Sequence, residues 1–182
     1  MNIHTQIISV NLGARKKIQI GSRVDDTGIY KNPIRDKIKI NQLGLAGDVI
    51  ADTKYHGGKD QAVYLYSQID YDWWSKKMNR DLLPGTFGEN LILSNFGTSN
   101  LKIGDRFHIN NIIIEVTMAR IPCATLAAKM KDTSFVKVFK QAKRPGAYTR
   151  VIKEGELQIG DKATFVPTSE DYPTVLELFE LW

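Results

Sequence analysis

Short runs of β-forming residues, each followed by a turn signal, recur along most of the 182-residue chain. Residues 3–10 alternate in part between apolar and polar side chains, and residues 62–66 (AVYLY) are rich in residues that favour strands. Asn110-Asn111 separates two further runs and predicts a tight hairpin turn. This pattern predicts a mainly β fold with peripheral helices.

Element boundaries follow from the same signals. The remaining predicted strands cover residues 17–20, 38–40, 90–93, 106–109, 112–118, 147–152 and 162–166. Helices are predicted over residues 68–78, 124–130, 134–143 and 173–182. Ser67 precedes the first of these helices and is its expected N-cap. Between the strands at 17–20 and 38–40, Asp25-Asp26, Gly28 and Pro33 predict a polar loop. No segment has the composition of a linker, so we expect one domain over residues 1–182.

One turn motif occurs twice, as LKIGDR at residues 101–106 and as LQIGDK at residues 157–162. In each copy we expect the glycine to adopt an unusual φ and the aspartate to bond the local backbone, ahead of a strand. A β-barrel needs such corners repeatedly. Chance similarity and internal duplication are both open explanations.

The composition excludes several classes of protein. A hydrophobic fraction of 42% and a charged fraction of 25% are typical of a globular domain, not of a disordered chain. No apolar run approaches the roughly 20 residues that span a bilayer, and the N-terminal residues lack a secretory signal pattern. We therefore expect a cytoplasmic protein with no membrane partner. The formal charge of +5 favours anionic ligands.

Cys123 is the first candidate for chemistry. It is the only cysteine, which excludes an internal disulfide and an all-cysteine metal cage. Pro122 favours extended backbone before it, and residues 124–130 favour a helix, so Cys123 should lie near a helix N-terminus. There a thiolate is stabilised, and Arg120 would add positive charge. Such a thiolate can bind a metal or attack an electrophile, whereas the alternative is a buried, inert cysteine.

The segment KYHGGKDQAV, residues 54–63, is the second candidate. Gly57 and Gly58 would allow a ligand to approach the backbone. His56 could act as an acid–base group or a metal ligand, and Asp60 could orient it. The alternative is a polar turn that leads into the next strand.

Two further segments combine glycines with polar side chains. Gly47 and Asp48 end GLAGD, a short loop that matches neither the P-loop nor the dinucleotide fingerprint. Glu89 and Asn90 lie where a glycine turn enters a strand, and an amide can both donate and accept hydrogen bonds. Arg150 would make a bidentate contact with a phosphate or carboxylate. In each case a structural turn or a surface ion pair is the alternative.

Taken together, five segments resemble the MOSC domain, named after the C-terminal domain of molybdenum-cofactor sulfurase. They are GLAGD (44–48), KYHGGKDQAV (54–63), FGENL (87–91), IGD (103–105) and Pro122-Cys123. Their order is that of the family, and the small stand-alone bacterial members are the most similar type. The resemblance implies a closed or nearly closed β-barrel with peripheral helices, of the kind found in the pyruvate kinase barrel domain.

The resemblance also implies a function. Related proteins bind the molybdenum cofactor, a pterin dithiolene with a phosphate, and some reduce N-hydroxylated bases with electrons from a separate reductase. Cys123 matches the family cysteine, which ligates molybdenum or carries sulfur as a persulfide. The implied catalytic residues are Cys123, His56 and Asp60, with Cys123 as the metal ligand. The implied cofactor-binding residues are Gly47, Asp48, Gly57, Gly58, Glu89, Asn90 and Arg120.

Some features of the larger relatives are not expected here. The 182 residues leave no room for the pyridoxal phosphate domain of the full sulfurase. The lone cysteine excludes a built-in iron–sulfur cluster, which normally needs four thiolates. Electrons for a reduction must therefore come from another protein. The segment around Arg150 departs from the stand-alone relatives, so no role is carried over to it.

The sequence is consistent with three functions. The leading hypothesis is a molybdenum-dependent reductase of N-hydroxylated small molecules. The second is a sulfur carrier that holds a persulfide on Cys123 and receives it from a cysteine desulfurase. The third is a basic nucleic-acid-binding domain, supported by the net charge and by Lys137, Lys140, Lys143 and Arg144 on one candidate helix but by no recognised motif. We expect a small-molecule substrate and no nucleic-acid partner, and homodimer formation is left open.

Overall fold

The computed structural model describes residues 4–96 and 101–182. The strands are β1 His4–Gly13, β2 Lys16–Ile20, β3 Arg23–Thr27, β4 Lys31–Ile34, β5 Ile38–Asn41, β6 Gly44–Leu45, β7 Val63–Ser67, β8 Leu91–Leu93, β9 Arg106–Ile109, β10 Ile112–Ala119, β11 Ala147–Lys153, β12 Gly155–Leu157 and β13 Lys162–Val166. The helices are α1 Gln68–Met78, α2 Ala124–Met130, α3 Phe135–Ala142 and α4 Val175–Glu180, and a 3-10 turn covers Lys59–Gln61. Among these residues no helix is long and apolar enough to cross a membrane.

Seven strands close into a barrel in the order β1, β13, β9, β10, β11, β7, β8 and back to β1. All neighbours are antiparallel except β7 and β8, which run parallel. The ten residues of β1 pair with β13 at their start and with β8 in the middle, and their end pairs with β4. A single long strand therefore joins the two ends of the sheet, and the predicted mainly β barrel fold is confirmed.

Most predicted elements are confirmed to within about three residues at each end, including the helix that starts after Ser67. Its hydroxyl accepts a hydrogen bond from the Asp70 amide at 3.0 Å, as an N-cap should. The predicted first strand began at Ile3, which lies outside the described residues. The Asn110-Asn111 turn is confirmed too, with Asn110 at a φ of 54° between β9 and β10.

The predicted loop between residues 20 and 38 is wrong. The chain forms a β2–β3 hairpin there, followed by β4 on the edge of the barrel sheet. Its polar composition reflects exposure, because the hairpin pairs only with itself and carries ion pairs such as Lys17–Asp26 on its surface. Pro33 is tolerated in β4 because an edge strand has one side without ladder hydrogen bonds. Two short strands, β6 and β12, were not predicted and flank β5 in a small separate sheet.

Aromatic side chains attach α1 and α3 to the barrel. Trp74 of α1 is fully buried and stacks on Phe139 of α3, with ring centroids 5.7 Å apart. Its indole nitrogen donates to the Tyr66 hydroxyl of β7 at 2.7 Å, which satisfies the buried N–H. Phe87 packs against both Trp74 and Tyr66. This cluster holds α3 close to the segment that carries Cys123.

The two predicted IGD turns have the same geometry. Gly104 and Gly160 have φ values of 89° and 91°. Asp105 accepts a hydrogen bond from the Lys102 amide, and Asp161 accepts one from the Gln158 amide. The turns lead into β9 and β13, which pair with each other. The sequence prediction of two equivalent barrel corners is therefore confirmed.

The two turns differ in burial, which predicts unequal costs of mutation. Asp105 is 1% exposed and also accepts from the Thr168 amide, so Asp105→Ala leaves two backbone donors without a partner. We expect a loss of about 3 kcal/mol in the free energy of unfolding, measured by urea denaturation. The matched change Asp161→Ala, at the more exposed corner, should cost about 1 kcal/mol or less. Equal losses would contradict this assignment.

Candidate functional site

One cavity of about 110 Å³ brings together residues from distant parts of the chain. Cys123, His56 and Gly57 all contribute to its wall, as do Arg120 and Asn90. The cysteine and the His-Gly-Gly turn that the sequence singled out separately therefore share one cleft. The cavity is large enough for several waters or for the reacting end of a ligand.

Cys123 is positioned by the end of β10 and the start of α2. Extended backbone after Ala119 leads to Cys123, which is the N-cap of α2 with φ −130° and ψ 170°. The side chain is half-buried. The sequence prediction of a cysteine at a helix N-terminus is confirmed, and the alternative of a fully buried thiol is not.

The surroundings of the Cys123 sulfur favour its ionised form. Burial disfavours a thiolate and by itself would raise the pKa. A hydrogen bond from His56, the positive charge of Arg120 and the Leu126 amide outweigh burial and lower the pKa to about 6. At neutral pH the sulfur is therefore mainly thiolate, the form that acts as nucleophile and metal ligand.

Arg120 is a buried cation that is only partly compensated. It is 4% exposed and lies over the rings of Tyr64 and Phe139, with its guanidinium carbon 5.8 and 5.7 Å from their centroids. Burial would lower its pKa, but the neighbouring Tyr64, Tyr148 and Cys123 raise it, so the charge is retained. Its Nη1 has no hydrogen-bond partner among the described residues. A buried donor of this kind is suited to an anionic or acceptor group of a ligand.

Asp48 and Asn90 build one wall of the cavity. Both carboxylate oxygens of Asp48 accept hydrogen bonds from the Lys31 ammonium, at 2.6 and 2.7 Å. Asp48 also accepts from the Gly13 amide and from the Asn90 side chain. The side-chain oxygen Oδ1 of Asn90 in turn accepts a hydrogen bond from the Tyr64 backbone amide. These bonds hold the wall rigidly, and they engage the Asn90 amide that was predicted to recognise a ligand.

Glu89 lies behind the cavity and is absent from its wall. The fully buried carboxylate accepts hydrogen bonds from the Tyr71 hydroxyl at 2.6 Å and from the Gly85 and Phe87 amides. Burial raises the pKa of Glu89, although these hydrogen bonds and the positive charge of the nearby Lys129 act to lower it. Glu89 therefore stabilises the turn before β8. A contact between this side chain and a cofactor was predicted from the sequence, but the carboxylate lies behind the cavity.

Lys129 supports the same region from α2. Its ammonium donates to the Ile29 and Gly85 carbonyl oxygens, which belong to two segments around the cavity. Burial lowers its pKa to about 8, although the Glu89 carboxylate acts in the opposite direction. The ammonium therefore ties α2, which begins beside Cys123, to the loops around the site.

Asp60, Gly47 and Gly58 also lie outside the cavity wall. Asp60 is exposed and pairs with the Arg150 guanidinium at 3.1 Å, not with His56. The predicted contact in which Asp60 orients His56 is therefore not seen. Arg150 forms a surface ion pair, which was the alternative to a ligand contact. Gly47 and Gly58 have φ values of 82° and 78°, so they shape the backbone on either side of the cavity-lining segment.

Several residues of the wall were not predicted. Lys31 lies in the segment that was expected to be a loop, and Tyr64 and Tyr148 looked like ordinary strand residues. Gln61 lies within KYHGGKDQAV but received no role. Strand alternation could have indicated which face each tyrosine occupies, and the candidate segment KYHGGKDQAV includes Gln61, whereas nothing local to Lys31 points to a site.

Residues 52–164 match the MOSC domain family. The chain belongs to this family. The match includes the His-Gly-Gly turn, the turn before β8 and the Pro122-Cys123 pair. MOSC domains are in general associated with binding of the molybdenum cofactor.

Known relatives include bacterial and fungal proteins. The chain is 32% identical to YflK of Bacillus subtilis over 154 residues, which is 85% of the chain and 70% of YflK. It is 31% identical over 159 residues to a protein named reductase from Gibberella moniliformis. That alignment covers 85% of this chain but only 28% of the fungal protein. The crystal structure of YiiM from Geobacillus stearothermophilus has the same fold, with a TM-score of 0.78 and 24% identity over 97% of this chain and 83% of that one.

The site supports thiolate chemistry beside a wall that carries charges of both signs, from Lys31 and Arg120 and from Asp26, Asp48 and Asp52. Within residues 4–96 and 101–182 no three His, Cys, Asp or Glu side chains come together as metal ligands. The residues on the cavity wall include Cys123 with its thiolate, His56 with its imidazole and Arg120 with its guanidinium. This arrangement can bind an anion, ligate a soft metal through sulfur and supply a proton from His56.

The low thiol pKa predicts a specific pH profile for alkylation. Because the thiolate is the reactive form, the rate of Cys123 modification by iodoacetamide should have its midpoint near pH 6, measured by mass spectrometry. His56→Ala should move the midpoint above 7, since the hydrogen bond is lost while burial persists. Asp60→Ala is the control and should leave the profile unchanged. A midpoint at the ordinary value near 8.5 in the unmodified protein would contradict the assignment.

Proposed function

We propose that this MOSC protein is a molybdenum-cofactor-dependent oxidoreductase that reduces N-hydroxylated bases. The observation that supports it most directly is the Cys123 thiolate, accessible in a cavity whose wall contains a buried guanidinium. The general association of MOSC domains with the molybdenum cofactor and the name of the fungal relative point the same way.

The residues present fit such a cofactor chemically. A thiolate is a soft ligand suited to a molybdenum centre whose other ligands come from a dithiolene. Arg120, whose Nη1 has no hydrogen-bond partner within residues 4–96 and 101–182, would contact an anionic or oxygen-bearing part of the bound group. Lys31 is engaged with Asp48 on both carboxylate oxygens, so its contribution would be to hold the wall in place. When bound, the cofactor would supply the two-electron redox chemistry that the side chains lack.

The reaction needs two electrons and two protons. The N–O bond of R–NH–OH breaks, one proton is added to the nitrogen to give R–NH₂, and the other is added to the hydroxyl oxygen, which leaves as water. Electrons would come from a separate reductase protein. His56 is the acid–base group on the wall, and its imidazole would hold and release a proton next to the sulfur. Asp60, which pairs with Arg150, has no part in this scheme.

A sulfur carrier is the second candidate function. A half-exposed thiolate with a lowered pKa is also what persulfide chemistry requires. In that case a cysteine desulfurase would transfer one sulfur atom to Cys123. Incubation with a desulfurase and cysteine, followed by intact-mass measurement, separates the two functions, because only a carrier gains the mass of one sulfur.

Charge alone gives little support to nucleic-acid binding. Lys143 forms an ion pair with Glu180, and the Arg144 guanidinium pairs with the buried Asp70 carboxylate. Lys140 lies over the Trp182 ring, 4.7 Å from its centroid. Lys140, Lys143 and Arg144 are thus engaged in contacts within the chain, and we do not propose this function.

Metal analysis tests the leading proposal. Protein purified from a host that makes the cofactor should contain molybdenum, and Cys123→Ala should reduce the content at least about tenfold, because the protein ligand is lost. Asp60→Asn is the matched control and should keep the metal, since Asp60 is outside the cavity. Circular dichroism verifies that each variant is folded. Absence of molybdenum from the unmodified protein, or equal content in Cys123→Ala, refutes the proposal.

A further inference from the structure

The proposed reduction consumes two protons, and His56 accounts for one of them. Side chains that donate protons in enzymes are mainly histidine, carboxylic acids, lysine, tyrosine and cysteine. Cys123 is the proposed metal ligand, and an aspartate is ordinarily deprotonated at neutral pH, so it has no proton to give. The second donor should therefore be a lysine or a tyrosine of the cavity wall.

Three residues of these types line the cavity, Lys31, Tyr64 and Tyr148. The Lys31 ammonium is engaged with both carboxylate oxygens of Asp48. The Tyr64 hydroxyl donates to the Pro145 carbonyl oxygen at 2.7 Å. Both protons are thus held by other groups of the protein, which leaves Tyr148 as the candidate.

Tyr148 is held in place by contacts that do not use its hydroxyl. The residue lies on β11, where it pairs with Tyr64 of β7 and with Met118 of β10. The Thr117 hydroxyl donates to the Tyr148 carbonyl oxygen at 3.1 Å. The Tyr148 ring packs against the Tyr64 ring, with centroids 5.2 Å apart. A side chain held in this way is preorganised for catalysis.

The proton of the Tyr148 hydroxyl is available to a ligand. Tyr148 is half-buried on the cavity wall. Among the described residues, the side chain that bonds its hydroxyl is Arg120. A guanidinium has donors and no acceptor, so this contact occupies the Tyr148 oxygen and leaves the O–H hydrogen free.

The charges around the hydroxyl suit an acid that is neutral before the reaction. Burial raises the pKa of Tyr148, and the Cys123 thiolate acts in the same direction, whereas the Arg120 charge acts to lower it. The phenol is therefore protonated at neutral pH. Once the proton has left, the guanidinium stabilises the phenolate, because opposite charges attract strongly in a partly buried site.

We propose that Tyr148 is a catalytic residue that donates the second proton of the reduction, to the hydroxyl oxygen of the N–OH group. This inference rests on the proposed reductase function, in which a separate reductase supplies the two electrons. The N–O bond breaks, the Tyr148 O–H bond breaks, and a new O–H bond forms on the departing oxygen, which leaves as water. His56 supplies the proton for the nitrogen, and both side chains regain a proton from solvent. A departing hydroxide is a much stronger base than a phenolate, so the transfer is favourable.

Single-turnover kinetics of Tyr148→Phe test the assignment. Protein from a cofactor-producing host is reduced with stoichiometric dithionite and mixed with an N-hydroxylated cytosine, and the cytosine formed is measured after rapid quenching. The rate constant should fall about a hundredfold or more, because the variant must take this proton from solvent. For the same reason, the ratio of the unmodified rate to the variant rate should grow between about pH 7 and about pH 9. A purely structural defect would give a constant ratio.

Measurements without turnover separate proton donation from support of the site. Tyr148→Phe keeps the ring that packs on Tyr64, so it should retain the molybdenum content of the unmodified protein. Its Cys123 should still be alkylated by iodoacetamide with a midpoint near pH 6, because His56 and Arg120 still lower the pKa of the thiol. Tyr172→Phe makes the same replacement at an exposed tyrosine outside the cavity and should behave as the unmodified protein in every assay.

The outcomes distinguish this inference from the proposed function. If the unmodified protein reduces the probe and Tyr148→Phe does so at the same rate, the inference is overturned and the reductase proposal stands. A slower variant whose rate ratio does not change with pH, or one that loses molybdenum, also overturns the inference, because Tyr148 would then support the site without donating a proton. Absence of turnover in the molybdenum-loaded unmodified protein refutes the reductase proposal and this inference with it.

Discussion

Backbone pairing along β1 is the constraint on which the rest of the molecule depends. The strand joins β13 to β8 and so turns an open sheet into a closed barrel. Closure leaves no unpaired edge between these strands, and the duplicated IGD corners provide the changes of direction that it needs. Because β7, β10 and β11 are fixed in this frame, the segments that leave them converge on one cavity.

The cavity concentrates charge that the fold compensates only in part. Lys31 and Asp48 neutralise each other in the wall, and Glu89 is held by the Tyr71 hydroxyl and backbone amides. Arg120 has aromatic rings and the Cys123 thiolate as neighbours, and in the described part of the chain its Nη1 has no hydrogen-bond partner. Burying a charge is costly unless it is paired, so an incompletely paired guanidinium beside a thiolate marks the place where a ligand is expected.

In this site, the residues that hold the cavity wall in place are different from the residues that can react with a ligand. Asn90 and Lys129 hold the wall through contacts with other protein groups. Cys123 and His56 belong to the cavity wall and retain the capacity to act on a ligand. Such a division is expected of a preorganised site, since the supporting bonds fix the positions from which the reacting groups work.

Local sequence determined the strands that alternate or carry β-formers, the two IGD corners, the N-cap at Ser67 and the placement of Cys123 after Pro122 at the start of a helix. Each depends on neighbours within a few residues, so backbone preference and periodicity are sufficient. Polarity misled the prediction for residues 25–33, because an exposed hairpin and an edge strand need no apolar face. Only the tertiary structure decided that Asp60 pairs with Arg150, that Glu89 supports a turn and that Gln61 shares a cavity with Arg120. Those outcomes depend on burial and on contacts between segments far apart in the chain, which no local pattern encodes.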